Sequence, residues 1–178
     1  MSDLPSSRSA IERAIRNIPD FPKPGIQFKD ITPLLADARL FAACIDLMTR
    51  NFQPGTVDAV VGIDARGFIF AAAAALKLQA GFVPVRKKGK LPFETIEQEF
   101  SLEYGVATVA MHVDALKPGS RVLLIDDLLA TGGTAEAAAA LVQKLGARIL
   151  EISFLIELSF LKGREKLQQY PVSSLVSY

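Results

Sequence analysis

A chain of 178 residues with 50% hydrophobic content is long enough to bury one sizeable core. Lys and Arg total 20 against 19 for Asp and Glu, and the resulting net charge of +1 argues against a protein that coats nucleic acid. Cys44 is the single cysteine, which excludes an intrachain disulfide or a cysteine metal cluster. A reduced, cytoplasmic setting follows, and the longest apolar stretch, Phe68 to Leu76, is far too short for a membrane partner.

In chain order, Arg8 to Asn17 is predicted as a first helix, with Ala10, Ile11, Ala14, Ile15 and Ile18 near one face. Asp3, Pro5, Ser6 and Ser7 before it do not read as a secretory signal. Pro19, Pro22, Pro24 and Gly25 then enforce an irregular segment. Leu40 to Asn51 reads as helix, Ala59 to Ile63 as a buried strand, Phe68 to Gln79 as helix and Phe82 to Arg86 as strand. Residues 87 to 105 are charged and read as irregular, whereas the alternation from Val106 to Val113 suggests a strand near the surface. Val122 to Ile125 is a short buried strand and Ala135 to Leu145 an alanine-rich helix. Ile149 to Leu158 and a short C-terminal helix around Leu161 to Gln169 complete the pattern. Alternating strands and helices predict a single α/β domain over residues 1–178, with a mostly parallel central sheet covered on both faces.

The chemistry concentrates in residues 122–134. Asp126 and Asp127 follow the apolar strand at its C-terminal end, where ligands bind in open parallel sheets. Ala130, Thr131, Gly132, Gly133 and Thr134 then lead into a helix, and turned backbone N–H groups at a positive dipole end suit a phosphate. Carboxylates beside a phosphate cradle suit the hydroxyls of a sugar phosphate. The plainer alternative is an ordinary strand–loop–helix whose Asp and Thr side chains only cap the helix. Asp64, Ala65, Arg66 and Gly67 form a second loop of the same kind, where Arg66 could offer a planar fork to a diphosphate or simply pair with Asp64. Arg86, Lys87, Lys88 and Lys90 form a basic cluster around Gly89, but Leu91 stands where a Walker A loop needs Ser or Thr.

Taken together, these motifs resemble the type I phosphoribosyltransferases, in their adenine-type wording. The resemblance runs from Phe21-Pro22 to Leu161-Lys162-Gly163-Arg164-Glu165-Lys166-Leu167. It implies the type I fold, with a small hood at about 19–35 and a mobile lid at about 91–108. It further implies transfer from 5-phosphoribosyl 1-pyrophosphate to adenine, with Mg²⁺ held mainly by the substrate and not by a protein metal site, in a homodimer. By the same resemblance, Ala130 to Thr134 would hold the 5′-phosphate and Asp126 and Asp127 the ribose hydroxyls. Ala65, Arg66, Arg86, Lys87 and Lys90 would hold pyrophosphate, with a non-proline cis peptide at Ala65–Arg66. The lid motif Ser101-Leu102-Glu103-Tyr104-Gly105 would supply Glu103 as acid/base and Tyr104 to close the site, with Arg66 completing the catalytic set.

Ile26, Gln27, Phe28 and Lys29 would bind adenine, with Phe28 stacking on the ring and backbone groups around Gln27 reading its edge. Lys29 stands where many relatives carry Arg, and an ammonium cannot form the same planar fork. The lone His112 lies in a strand pattern and is expected to be structural. Two rivals share the signature. Transferases for 6-oxopurines or orotate should lack this hood and lid wording. Regulators of the same fold carry a DNA-binding region, for which the roughly 20 residues before Phe21 are too few.

Overall fold

The computed structural model describes residues 4–101 and 105–178, and the chain divides into two compact units, 1–47 and 48–178. The first contains α1 (Leu4–Ala14), β1 (Arg16–Pro19), β2 (Gln27–Asp30) and α2 (Thr32–Ala36), and α3 (Ala38–Met48) ends at its boundary. The expected first helix ends earlier than its apolar pattern suggested, because Arg16 already opens a strand. The proline-rich stretch is not merely irregular: it turns an antiparallel hairpin, with Ile18 opposite Phe28 and Pro19 opposite Gln27. Proline is tolerated at such an edge because no ladder hydrogen bond is lost. The turn contains a cis Phe21–Pro22 bond. It is closed by the Gly25 N–H donating to Asp20 Oδ1 at 2.7 Å and by Phe21 packing edge-on against Phe28, ring centres 5.1 Å apart.

The second unit contains β3 (Ala59–Ile63), α4 (Gly67–Leu78), β4 (Gly81–Lys87), β5 (Thr95–Ser101) and β6 (Val106–His112), then β7 (Arg121–Leu129), α5 (Gly133–Lys144), β8 (Arg148–Glu157) and β9 (Val172–Ser177). They form a seven-stranded sheet in the order β5-β6-β4-β3-β7-β8-β9. From β4 to β9 the neighbours pair in parallel, while β6 pairs antiparallel with both β4 and β5. From β3 the chain steps through α4 to one side of the sheet, and from β7 it steps through α5 to the other. Right-handed crossovers in opposite directions place α4 and α5 on opposite faces. The packing agrees: Val61, Ile63, Val122 and Leu124 share one buried cluster with Ala135, Ala138 and Leu141 of α5. On the other face, a Cβ at Gly62 would lie 2.6 Å from that of Ala71 in α4. The reversal of winding between adjacent β3 and β7 is the switch point at which open sheets bind ligands.

Several expectations need correction. The β7 strand does not end at Ile125 but continues through both carboxylates to Leu129, because β8 keeps pairing with it there. Its pairing with β3 does stop at Ile125, so Asp126 and Asp127 stand where the sheet opens. Residues 95–101, read as irregular, form β5 in register with β6. The expected C-terminal helix is two short 3-10 turns, Ser159–Leu161 and Gly163–Leu167, and β9 follows them unforeseen. No described helix is long and apolar enough to cross a membrane.

Candidate active site

The β3–α4 connection carries Asp64, Ala65 and Arg66. Its non-proline cis bond is Asp64–Ala65, one bond earlier than the expected Ala65–Arg66. Asp64 Oδ2 accepts from Arg86 Nε at 3.0 Å. Arg86 also donates from Nη1 to the Lys90 carbonyl at 3.0 Å, which ties the basic segment after β4 to the loop. Arg66 reaches β7, with Nη2 2.8 Å from Asp127 Oδ2. That approach is an ion contact without an aligned hydrogen bond, because Oδ2 has no hydrogen-bond partner despite being buried. A buried carboxylate oxygen in this state has unused capacity to accept a hydrogen bond.

Gly67 brings α4 close to β7, since a Cβ there would lie 2.5 Å from Asp126 Oδ1. The same Oδ1 accepts the Asp127 N–H at 2.9 Å. Burial, reinforced by the adjacent Asp127 charge, pushes the Asp126 carboxyl well above its ordinary range. Burial also raises Asp127, and the Arg66 guanidinium opposes that rise. Two adjacent acids that resist simultaneous ionisation gain from hydroxyl donors and positive charge alike.

Beyond β7 the chain turns at Gly132, whose φ of 82° is the left-handed conformation that glycine allows. Gly132 is the residue preceding α5, and no side chain caps that helix. The capping alternative for Thr131 and Thr134 is therefore not the one the structure adopts. The first-turn amides of α5 have no intrahelical acceptors and carry the positive end of the dipole. Thr134 and Ala135 of that turn line a cavity of about 70 Å³ together with Asp126, Ala130, Thr131 and Gly132. A neighbouring cavity of about 250 Å³ is lined by Asp64, Arg86, Lys87, Phe100, Thr108 and again Thr134. Thr134 thus joins a phosphate-sized recess to a larger, cation-bearing one.

The C-terminal ends of β3, β4 and β7 thereby gather Ala65, Arg66, Arg86, Lys87, Asp126, Asp127 and residues 130–134. Lys87 and Lys90 are exposed, and Lys88 is paired with Glu97 at 2.7 Å. Ile26 to Lys29 lie at and beside β2 of the first unit, where Asn17 Nδ2 donates to Gln27 Oε1 at 2.6 Å. Glu103 and Tyr104 lie outside the described residues. His112 belongs to β6 and its Nε2 accepts the Phe93 N–H at 3.4 Å. Gly163 and Lys166, which carry no expected role, both abut residues 130–134. A Cβ on Gly163 would stand 3.0 Å from Gly132 N, and one on Gly133 would stand 3.6 Å from Lys166 Nζ. Only the motif around Gly163 hinted at this.

The family model of the phosphoribosyl transferase domain matches residues 30–175. An adenine phosphoribosyltransferase of Acidothermus cellulolyticus is 60% identical over 91% of this chain and 92% of its own length. The crystal structure of the adenine phosphoribosyltransferase of Rhodothermus marinus superposes with a TM-score of 0.93 at 48% identity, covering 98% of this chain and 99% of that one. The Saccharomyces cerevisiae enzyme, solved with an imino-altritol bisphosphate and adenine, gives a TM-score of 0.91 at 41% identity over 96% and 99% of the two chains. With paired acids and an uncapped glycine loop at the switch point of a parallel sheet, and with these likenesses along its length, the chain belongs to the phosphoribosyltransferase family.

Proposed function

We propose that the protein serves purine salvage as an adenine phosphoribosyltransferase, converting adenine and 5-phosphoribosyl 1-pyrophosphate to AMP and pyrophosphate. The observation that carries this reading is the uncapped start of α5 opening on a cavity beside the half-buried Asp126 and the buried Asp127. Residues 130–134 would receive the 5′-phosphate, and Asp126 and Asp127 would accept hydrogen bonds from the ribose hydroxyls. Ala65, Arg66, Arg86, Lys87 and Lys90 would receive the pyrophosphate. Ile26, Gln27, Phe28 and Lys29 would receive adenine.

In the reaction the bond from C1′ to pyrophosphate oxygen breaks with its electron pair on oxygen. The C1′–N9 bond forms and N9 gives up its proton. The sugar passes through an oxocarbenium-like state, so fixed charge and exclusion of water supply most of the rate. Glu103 would handle the purine proton and Tyr104 would close the site. Among the described residues no group of three or more His, Cys, Asp or Glu could hold a metal. As the family resemblance implies, Mg²⁺ would be carried mainly on substrate oxygens with its own waters. The chemistry that bound Mg²⁺ would supply is neutralising charge for pyrophosphate.

Two further features complete the proposal. A homodimer would cover the apolar stripe of α4, where Leu76 is 83% exposed and Ile69 40%. A reduced cytoplasm suits Cys44, whose thiol is buried and pushed up to about 12. The test of the reaction's acid/base assignment is AMP formation by Glu103→Gln. We expect turnover to fall by ~10²-fold, as for loss of one acid/base group, with the KM for phosphoribosyl pyrophosphate little changed. Unaltered turnover would remove Glu103 from the mechanism.

A further inference from the structure

The 3-10 turn Gly163–Leu167 forms the back of the phosphate loop. A Cβ on Gly132 would run into the Gly163 carbonyl oxygen, with Gly163 Cα at 3.2 Å. A Cβ on Gly163 would run into the Ala130 carbonyl and stand 2.9 Å from Leu129 Cδ1. Backbone therefore meets backbone on both sides, and a shift of the turn must move residues 130–132.

Two anchors fix the turn. Leu167 is fully buried in the main core cluster. Arg164 grips Glu157, the last residue of β8, in a two-pronged pair: Nε donates to Oε1 and Nη2 to Oε2, both at 2.7 Å. Arg164 also donates from Nη1 to the Val172 carbonyl and from Nη2 to Ser174 Oγ, both at 2.9 Å. Glu157 is itself buried and sits opposite Leu129 in the sheet. The guanidinium thus ties the turn to β8 and β9 with planar geometry that an ammonium cannot reproduce. The same turn brings Lys166 toward Gly133, so its position also sets where one positive charge stands beside the start of α5.

We propose that Arg164, clamped on Glu157, is a positioning residue for the 5′-phosphate: it holds Gly163 against Gly132 and so aims the amides at the start of α5. The inference rests on assigning residues 130–134 to that phosphate. Arg164 touches no substrate. It acts by preorganisation, where a small displacement of donors costs a large factor in binding.

The test uses the full chain and ribose 5-phosphate as the probe, with pyrophosphate as the comparison ligand. For Arg164→Met we expect ribose 5-phosphate binding to weaken ~10–100-fold, the range typical of lost outer-shell support. The KM for phosphoribosyl pyrophosphate should rise similarly, while pyrophosphate binding and the KM for adenine stay within about twofold. Arg164→Lys should recover part of the loss, and Ser174→Ala, which removes one arm of the clamp, provides a milder variant if Arg164→Met folds poorly. Equal loss for both probes, or lowered melting temperature with unchanged constants, would overturn the positioning role and leave Arg164 merely structural. Thr134→Val separates the underlying assignment. If it leaves ribose 5-phosphate binding unchanged, the phosphate loop is misassigned. If it weakens binding while Arg164→Met does not, only the clamp is wrong.

Discussion

Gly132→Ala is expected to destabilise the protein by about 2–4 kcal/mol and to reduce kcat/KM for phosphoribosyl pyrophosphate by ~100-fold or more. Two costs combine. A side chain at φ 82° lies in the left-handed region, which costs about 1–2 kcal/mol for residues other than glycine. The added Cβ also runs into the Gly163 carbonyl oxygen, with the carbonyl carbon at 3.1 Å. That obstacle is backbone held by Arg164 and Leu167, so it cannot swing aside as a flexible side chain could. Either the loop opens and the amides lose their aim, or the turn moves and loosens the clamp. Denaturant unfolding and steady-state kinetics measure the two effects separately, and a variant with wild-type stability and KM would contradict the packing described.

Asp126→Asn should stabilise the empty protein while damaging its activity. Burial and the neighbouring Asp127 raise the Asp126 carboxyl above its ordinary 3.8. A raised folded-state value means its contribution is fully present below pH 3.8 and is lost as pH rises through the folded value. Above pH 3.8 the buried acid pair therefore carries a penalty that the neutral amide removes. Its Oδ1 can still accept the Asp127 N–H. We expect a gain of about 0.5–2 kcal/mol at pH 7, or roughly 2–4 °C in Tm per kcal/mol for a chain of this size. The gain should shrink below pH 4. Loss of a charge-assisted hydrogen bond to ribose, about 1.5–3 kcal/mol, should lower kcat/KM ~10–100-fold. Melting curves across pH check the first half, and a variant less stable than wild type at pH 7 would reverse the electrostatic reading.

The parts of this molecule that were legible in its sequence are those where one local signal dominates. Ala59–Ile63 is apolar at every position and buried at every position, so its strand was found to the residue. The glycine loop was readable because glycines, threonines and acids at a strand–helix junction have few other uses. Features set by distant partners were not readable. The acids at 126 and 127 look like the end of a strand, yet β8 carries the ladder past them. In β5, Glu97 and Glu99 conceal Ile96 and Phe100, which pack against the main core cluster. The hairpin of Arg16–Pro19 with Gln27–Asp30 is masked by prolines. Arg66 lies two residues from Asp64 but pairs with Asp127, which only folding brings near. The same is true of Gly163, whose meaning appears once its carbonyl is seen behind Gly132.

The reading of function stands or falls on which base accepts the phosphoribosyl group. The decisive measurement is pyrophosphate release from phosphoribosyl pyrophosphate and Mg²⁺, with adenine, hypoxanthine, guanine and orotate supplied separately. The account predicts release with adenine alone, matched mole for mole by AMP. Release with another base would contradict the adenine assignment of residues 26–29, and tight binding of the sugar phosphate without turnover of any base would contradict the enzyme itself.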